Sequence, residues 1–146
     1  MPSIELPRLP VFTEVGGNTR HASVWARVRA YQQERDAWRE LLALARYPTY
    51  QQALIPSKAE LRITLHFKGT TSLNYENALY ACKTLIDLTE IPRVVFAKDS
   101  KGQQVPREKG WLGWVKDDSQ YEWPWHLTKR ENSSHAPLTV LEVAPL

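Results

Sequence analysis

Between Glu60 and Lys68 the chain alternates. Leu61, Ile63, Leu65 and Phe67 fall on one side, and Arg62, Thr64, His66 and Lys68 on the other. A period of two predicts a strand with one buried face. Upstream the period changes. From about Thr19 to Arg46 there is neither Gly nor Pro, and Val24, Val28, Tyr31, Trp38, Leu41, Leu42 and Ala45 recur at helical spacing with a break at Arg35. This predicts one long amphipathic helix, ended by Tyr47-Pro48. Residues 1–18 carry Pro2, Pro7 and Pro10 and read as extended or loop structure, with Gly16-Gly17-Asn18 as a turn.

Beyond the alternating strand, Gly69-Thr70-Thr71-Ser72 reads as a loop. A second helix is expected from near Asn74 to about Glu90, with Ala78, Cys82, Leu85, Ile86 and Thr89 facing inward and Pro92 marking its end. Residues 93–97 look like a strand. Asp99-Ser100-Lys101-Gly102 turns the chain, and Gln103 to Val105 returns as a partner. Tyr121 to Lys129 reads as a strand that Pro124 confines to an edge or bulge. Residues 137–143 close the sheet. No repeat is visible. The order of elements predicts a single α/β or α+β domain, 1–146, with a mixed sheet packed against two main helices.

The composition of the 146 residues, 42% hydrophobic and 24% charged, is that of a folded domain rather than a disordered chain. No apolar run is long enough for a membrane span, and no secretory signal is visible, so no membrane partner is expected. The lone cysteine, Cys82, cannot form an internal disulfide and falls on the inward helix face, where an inert core thiol is expected. A cytoplasmic location follows as the default. The net charge is +3. Every basic residue before Lys58 is arginine: Arg8, Arg20, Arg27, Arg29, Arg35, Arg39 and Arg46. Two readings stand open for them, bidentate phosphate contact or an ion-paired helix surface.

Much familiar chemistry is missing. There is no Gly-rich phosphate loop, no Gly-x-Ser-x-Gly elbow, and no metal-ligand spacing among His21, His66, His126 and His135. What remains is carboxylate. Asn74-Tyr75-Glu76-Asn77 opens a helix directly after a strand, and Asp117-Asp118 precedes another strand. A hard divalent cation takes oxygen ligands of this kind, and a nuclease needs such an ion to activate water and stabilise the scissile phosphate. Acidic helix starts and Asp-Asp turns also occur for structural reasons alone.

The segment Leu73 to Asp87 resembles the Asp-x-Asp-Asn helix of the RusA-like crossover junction endodeoxyribonucleases, and Gly113-Trp114-Val115-Lys116-Asp117-Asp118-Ser119 is similar to that family's later Asp-Asp segment. Lys83 and Asp87 resemble the Lys and Asp of its phage and actinobacterial branches. A proline-bearing front strand, Asn18 near an arginine, and the Arg-rich helix also fit. The resemblance implies a homodimeric, Mg²⁺-dependent nuclease (Mn²⁺ as a possible substitute) that resolves branched DNA, the Holliday junction, by paired nicking. It also implies a bacterial host cell, and many such proteins are encoded by phages or prophages. No organic cofactor is implied. Carried over by position, Asn74, Glu76 and Asp118 would hold the metal, Asp117 would stand beside them, and Lys83 would neutralise phosphate charge. Arg20, Arg27, Lys68, Lys109 and Lys116, with Lys98, Lys101 and Arg107, are the further candidates for DNA phosphate.

Two departures matter. Asn74 stands where the family has aspartate, and an amide carries no charge and cannot act as a base. This predicts weak, Mn²⁺-preferring or absent cleavage, leaving a DNA-binding protein as the alternative. Second, residues from about 91 to 112 form an insertion expected to be a hairpin with a basic, Trp-rich link. Trp111, Trp114, Trp123 and Trp125 cluster around it. They are expected as core or dimer contacts, or as a stacking wedge at unpaired bases. A protein partner bound through the insertion and these tryptophans is a further alternative.

Overall fold

The structure, a computed structural model, describes residues 2–11, 24–45 and 55–146. In chain order the elements are β1 (Ser3–Leu6), α1 (Val24–Leu44), β2 (Ala59–His66), α2 (Tyr75–Asp87), β3 (Arg93–Lys98), β4 (Gln104–Lys109), a short 3₁₀ turn (Asp118–Gln120), β5 (His126–Arg130) and β6 (Leu138–Pro145). The expected turn at Gly16-Gly17-Asn18, the start and stop of the first helix, Arg20, His21 and Arg46 lie outside the described residues.

The alternating segment forms β2, with Leu61, Ile63 and Leu65 buried. Four strands make a mixed sheet in the order β1-β6-β2-β5. β6 runs antiparallel to both β1 and β2, whereas β5 runs parallel to β2. A parallel neighbour requires a crossover, and here α2, the β3–β4 hairpin and residues 110–125 supply it. This long crossover carries nearly all of the candidate chemistry.

Both helices feed one core. Trp38 and Leu42 of α1 join Ala78, Cys82, Leu85 and Ile86 of α2, along with Ile4, Leu6, Leu141 and Val143 of the sheet. The inward face expected for α2, Thr89 included, is buried throughout. Burial pushes the Cys82 thiol up to about 12, so it stays protonated and inert.

The extended front contains a strand, Ser3–Leu6, which pairs with β6 through Ile4 opposite Leu141. Two expectations shift. The second helix stops at Asp87 rather than Glu90, its last turn closing through Leu88, Thr89 and Glu90 amides. The strand expected at Tyr121–Lys129 begins only at His126. Tyr121 makes a single bridge to Ala59, and Pro124, which has no N–H to give, lies outside the ladder. β5 is an edge strand, as Pro124 led us to expect.

The insertion is a hairpin of greater length than its sequence suggests. β3 and β4 pair over Arg93–Lys98 and Gln104–Lys109 as a separate two-stranded sheet. Its base is tied. The amides of Trp111 and Gly113 donate to the Glu90 carbonyl, that of Leu112 to Leu88, that of Trp114 to Thr89, and that of Ile91 to Val115. Gly110, at φ +79°, makes this closure possible, since a Cβ there would lie 2.1 Å from the Ile91 carbonyl oxygen.

Among the described residues no helix is long and apolar enough to cross a membrane.

Candidate functional site

Helix α2 begins with a cap. The Asn74 side-chain oxygen accepts from the Asn77 amide at 2.9 Å, satisfying one of the donors that a helix start leaves open. Asn74 was the expected first metal ligand. Its amide is instead occupied by the backbone, which is the ordinary use of Asn at this position. Glu76 sits exposed in the first turn. From there Lys83, Asp87 and Glu90 follow at i+7, i+11 and i+14, so the four lie near one stripe of the helix and its extension.

Opposite that stripe stands the segment after the hairpin. The two aspartates expected to act together have separate tasks. Asp117 caps the 3₁₀ turn, accepting from the Ser119 amide at 2.8 Å and from the Ser119 hydroxyl. These bonds hold its carboxyl below the usual carboxylate range. Asp118 reaches α2, where its Oδ2 accepts from Lys83 Nζ. The backbone ties at the hairpin base fix this approach. So does Tyr121, whose buried hydroxyl donates to Thr89 Oγ1 at 2.8 Å.

Three carboxylates meet there. Oxygens of Asp87, Glu90 and Asp118 lie within 4.8 Å of one another. Asp87 and Glu90 are only 7% and 1% exposed, while Asp118 is open enough to meet solvent. Buried charges need partners. Lys83 Nζ lies 3.3 Å from Asp87 Oδ1 as well as on Asp118. Arg93 donates to Glu90 at 2.7 Å, Lys109 stands 3.9 Å from it, and the Tyr31 hydroxyl donates to Asp87 Oδ2. Burial would lower the Lys83 ammonium, but its hydrogen bond to Asp118 and the charges of Asp87 and Asp118 leave it above its ordinary value. Burial raises Glu90, with Arg93 opposing and Asp87 adding to the shift. Tyr31, buried beside Asp87, is raised far enough to stay neutral.

This group can bind a metal ion. All its donors are oxygen, which suits a hard divalent cation. Asp87 Oδ1 is buried and accepts no hydrogen bond despite its ion pair, so an acceptor remains for a cation to satisfy. Lys83 is the internal competitor, since its ammonium already sits between two of the carboxylates.

Two grooves flank the cluster. One, about 560 Å³, runs between α1 and the hairpin, with Arg27, Arg35, Arg107 and Lys109 along it and Asp87 in its wall. The other, about 380 Å³, is aromatic and takes in Glu76 and Lys83. Of the residues expected at phosphate, Lys83 and Lys109 border the cluster, and Arg27 and Arg107 line the wider groove. Lys68 and Lys116 are exposed and enter neither groove. The arginine run resolves partly toward ion pairing. Arg8 forks onto buried Glu34 at 2.6 and 2.7 Å, and Arg39 meets Glu108 at 3.1 Å. Arg35 packs beneath the hairpin, and burial lowers its guanidinium. The described histidines serve surface contacts: His66 with Ser133, and His126 with Glu60.

The sequence reading missed Glu90 and gave Asp87 no role at the metal. Their signal was available in the spacing Lys83, Asp87, Glu90, which puts a cation and two carboxylates on one helix face. No family model, curated protein or solved structure matches the chain.

Proposed function

We propose that this protein is a metal-dependent endonuclease acting on branched DNA, in keeping with the resemblance of its acidic helix and Asp-Asp segment to the RusA-like resolvases. The observation that carries this reading is the meeting of Asp118 with Lys83, Asp87 and Glu90 beside a groove bordered by Arg27, Arg107 and Lys109. Carboxylates next to such a groove match the needs of phosphodiester hydrolysis: the cations track phosphate, and the acidic group holds the metal.

Asp118, Asp87 and Glu90 would hold Mg²⁺ or Mn²⁺, which supplies a water of lowered pKa and charge for the scissile phosphate. Asp118, the most open of the three, orients the water. Lys83, displaced from Asp118, turns its ammonium toward the phosphate. Glu76 stands at the far end of the same helix stripe, within reach of the neighbouring nucleotide. Paired nicks across a junction require two sites, so the reading carries a homodimer.

The test is incubation with a synthetic four-way junction and with linear duplex, in Mg²⁺ and in Mn²⁺, beside Asp118→Asn. Paired nicks lost in the variant support the enzyme. Salt-sensitive junction binding without nicks supports a DNA-binding protein that no longer cuts, a reading that Asn74 and the occupied Lys83 favour. The hairpin exposes Val94 and Phe96 at 59% and 69%. If the protein neither cuts nor binds DNA, that apolar face points instead to a protein partner.

A further inference from the structure

Beside the acidic cluster, on the side away from the hairpin, α2 and the loop before β5 enclose a groove of about 380 Å³. Its walls include Tyr75, Tyr80, Trp123 and Trp125. These four come from two elements nearly fifty positions apart, and the Tyr75 hydroxyl joins them by donating to the Trp125 carbonyl. Trp123 and Trp125 meet edge to face at 5.4 Å between centroids. Yet the groove is not a sealed core: Trp123 is 65% and Tyr80 56% exposed. Large aromatic side chains left open to water cost hydration free energy, and an open concave group of them fits a flat, apolar-faced occupant.

We propose that this groove takes a single unpaired nucleobase of the DNA substrate, so that the protein recognises strands whose bases are unstacked. This inference rests on the nuclease reading and names what that site selects. Three observations favour a base over other occupants. The aromatic walls suit a flat ring system, and the groove has room for one. Lys83 joins the groove to the acidic cluster, with its Nζ on Asp118 and 5.8 Å from the centroid of Trp125. A base in the groove thus brings its own phosphate to Lys83, beside the carboxylates. Glu76, also in the wall, is an acceptor for the exocyclic amino group of cytosine or adenine.

Stacking on aromatic side chains is tolerant of sequence and independent of metal, so it can be read without cleavage. The full-length protein in EDTA is titrated into a duplex with one unpaired 2-aminopurine and into a matched duplex of equal length. The expected result is quenching of the unpaired probe and binding about tenfold tighter than to the matched duplex. Trp123→Ala and Tyr80→Ala, both at exposed positions that leave the core intact, should each lose most of that preference while holding matched-duplex binding. Equal affinity of the wild type for the two DNAs, or a preference unchanged in both variants, overturns the pocket. The two readings separate cleanly. Mg²⁺-dependent nicking without probe quenching removes the pocket and leaves the nuclease, whereas quenching without nicking removes the nuclease and leaves a protein that captures unpaired bases.

Discussion

Lys83 and Asp118 are 35 positions apart in the chain and share a hydrogen bond. One comes from the third turn of α2 and the other from the far side of a hairpin. Their contact places a positive charge of the protein where a divalent cation would otherwise sit, so the lysine and the metal compete for Asp118.

Removing the lysine should therefore help the metal. Lys83→Gln leaves Asp87, Glu90 and Asp118 facing one another with one fewer cation. The metal-free variant is expected to unfold at lower temperature than the wild type, and Mn²⁺ should recover more stability in it than in the wild type. Calorimetric titration should show Mn²⁺ binding several-fold tighter. Nicking should nevertheless fall, because no ammonium remains for the phosphate. Unchanged or weaker Mn²⁺ affinity would mean that the three carboxylates exist only to hold a lysine.

The buried Glu90 makes a pH prediction. Its native value is raised above the ordinary 4.5, chiefly by burial. Between those two values the folded protein retains a proton that the unfolded chain has released, so stability falls as pH rises. Glu90→Gln lacks that proton. The stability of the wild type relative to Glu90→Gln should be greatest in acid and decline toward neutrality. Thermal unfolding of both proteins from pH 4 to pH 7 (roughly the span that brackets a raised carboxylate) measures the difference. A difference that stays constant, or grows with pH, contradicts the shift.

Asn74 offers a separation of stability from activity. Asn74→Ala removes the cap of α2 and should cost about 1 kcal/mol, read as a lower denaturant midpoint. Asn74→Asp keeps the cap and sits well at the positive helix end, so stability should hold or rise slightly. Nicking should stay near the wild-type rate, because the new carboxylate remains on the Asn77 amide. A large gain in nicking would show that residue 74 leaves its cap and reaches the metal.

Gly110→Ala should be among the costliest single changes in the chain. The added Cβ meets backbone atoms of Ile91 and Glu90 at 2.1 to 2.7 Å, in a left-handed conformation that alanine resists. About 3 kcal/mol is expected. Because Glu90 belongs to both the clash and the acidic group, metal affinity should fall along with stability. A variant as stable as the wild type would contradict this backbone path.

How much of this was legible beforehand differed by element. β2 and the inward face of α2 could be read because their signals are local: alternation in one, a buried stripe in the other. Pro124 carried its own warning about the edge. β1 was legible only as an extended front, since four residues hold too little pattern to mark its ends and its partner β6 lies at the opposite end of the chain. The roles of the site residues were harder still. Asp117 and Asp118 look alike in sequence, and only the turn they enter makes one a cap and the other a partner of Lys83. Asn74 matched a family position, but its place before a helix was the stronger local signal. Asp87 and Glu90 passed as ordinary helix residues until burial and the approach of Asp118 set them apart.

The closed neck of the hairpin, where residues 88–91 and 111–115 bond to each other, has an evolutionary consequence. A chain that departs and returns through one gate can vary at its tip while Arg93 and Lys109, which face Glu90, keep their places at the acidic cluster. Residues 98–104, at that tip, are thus the natural place for this protein to acquire a new recognition surface, or to shed one, while the route from α2 to Asp118 stays as it is.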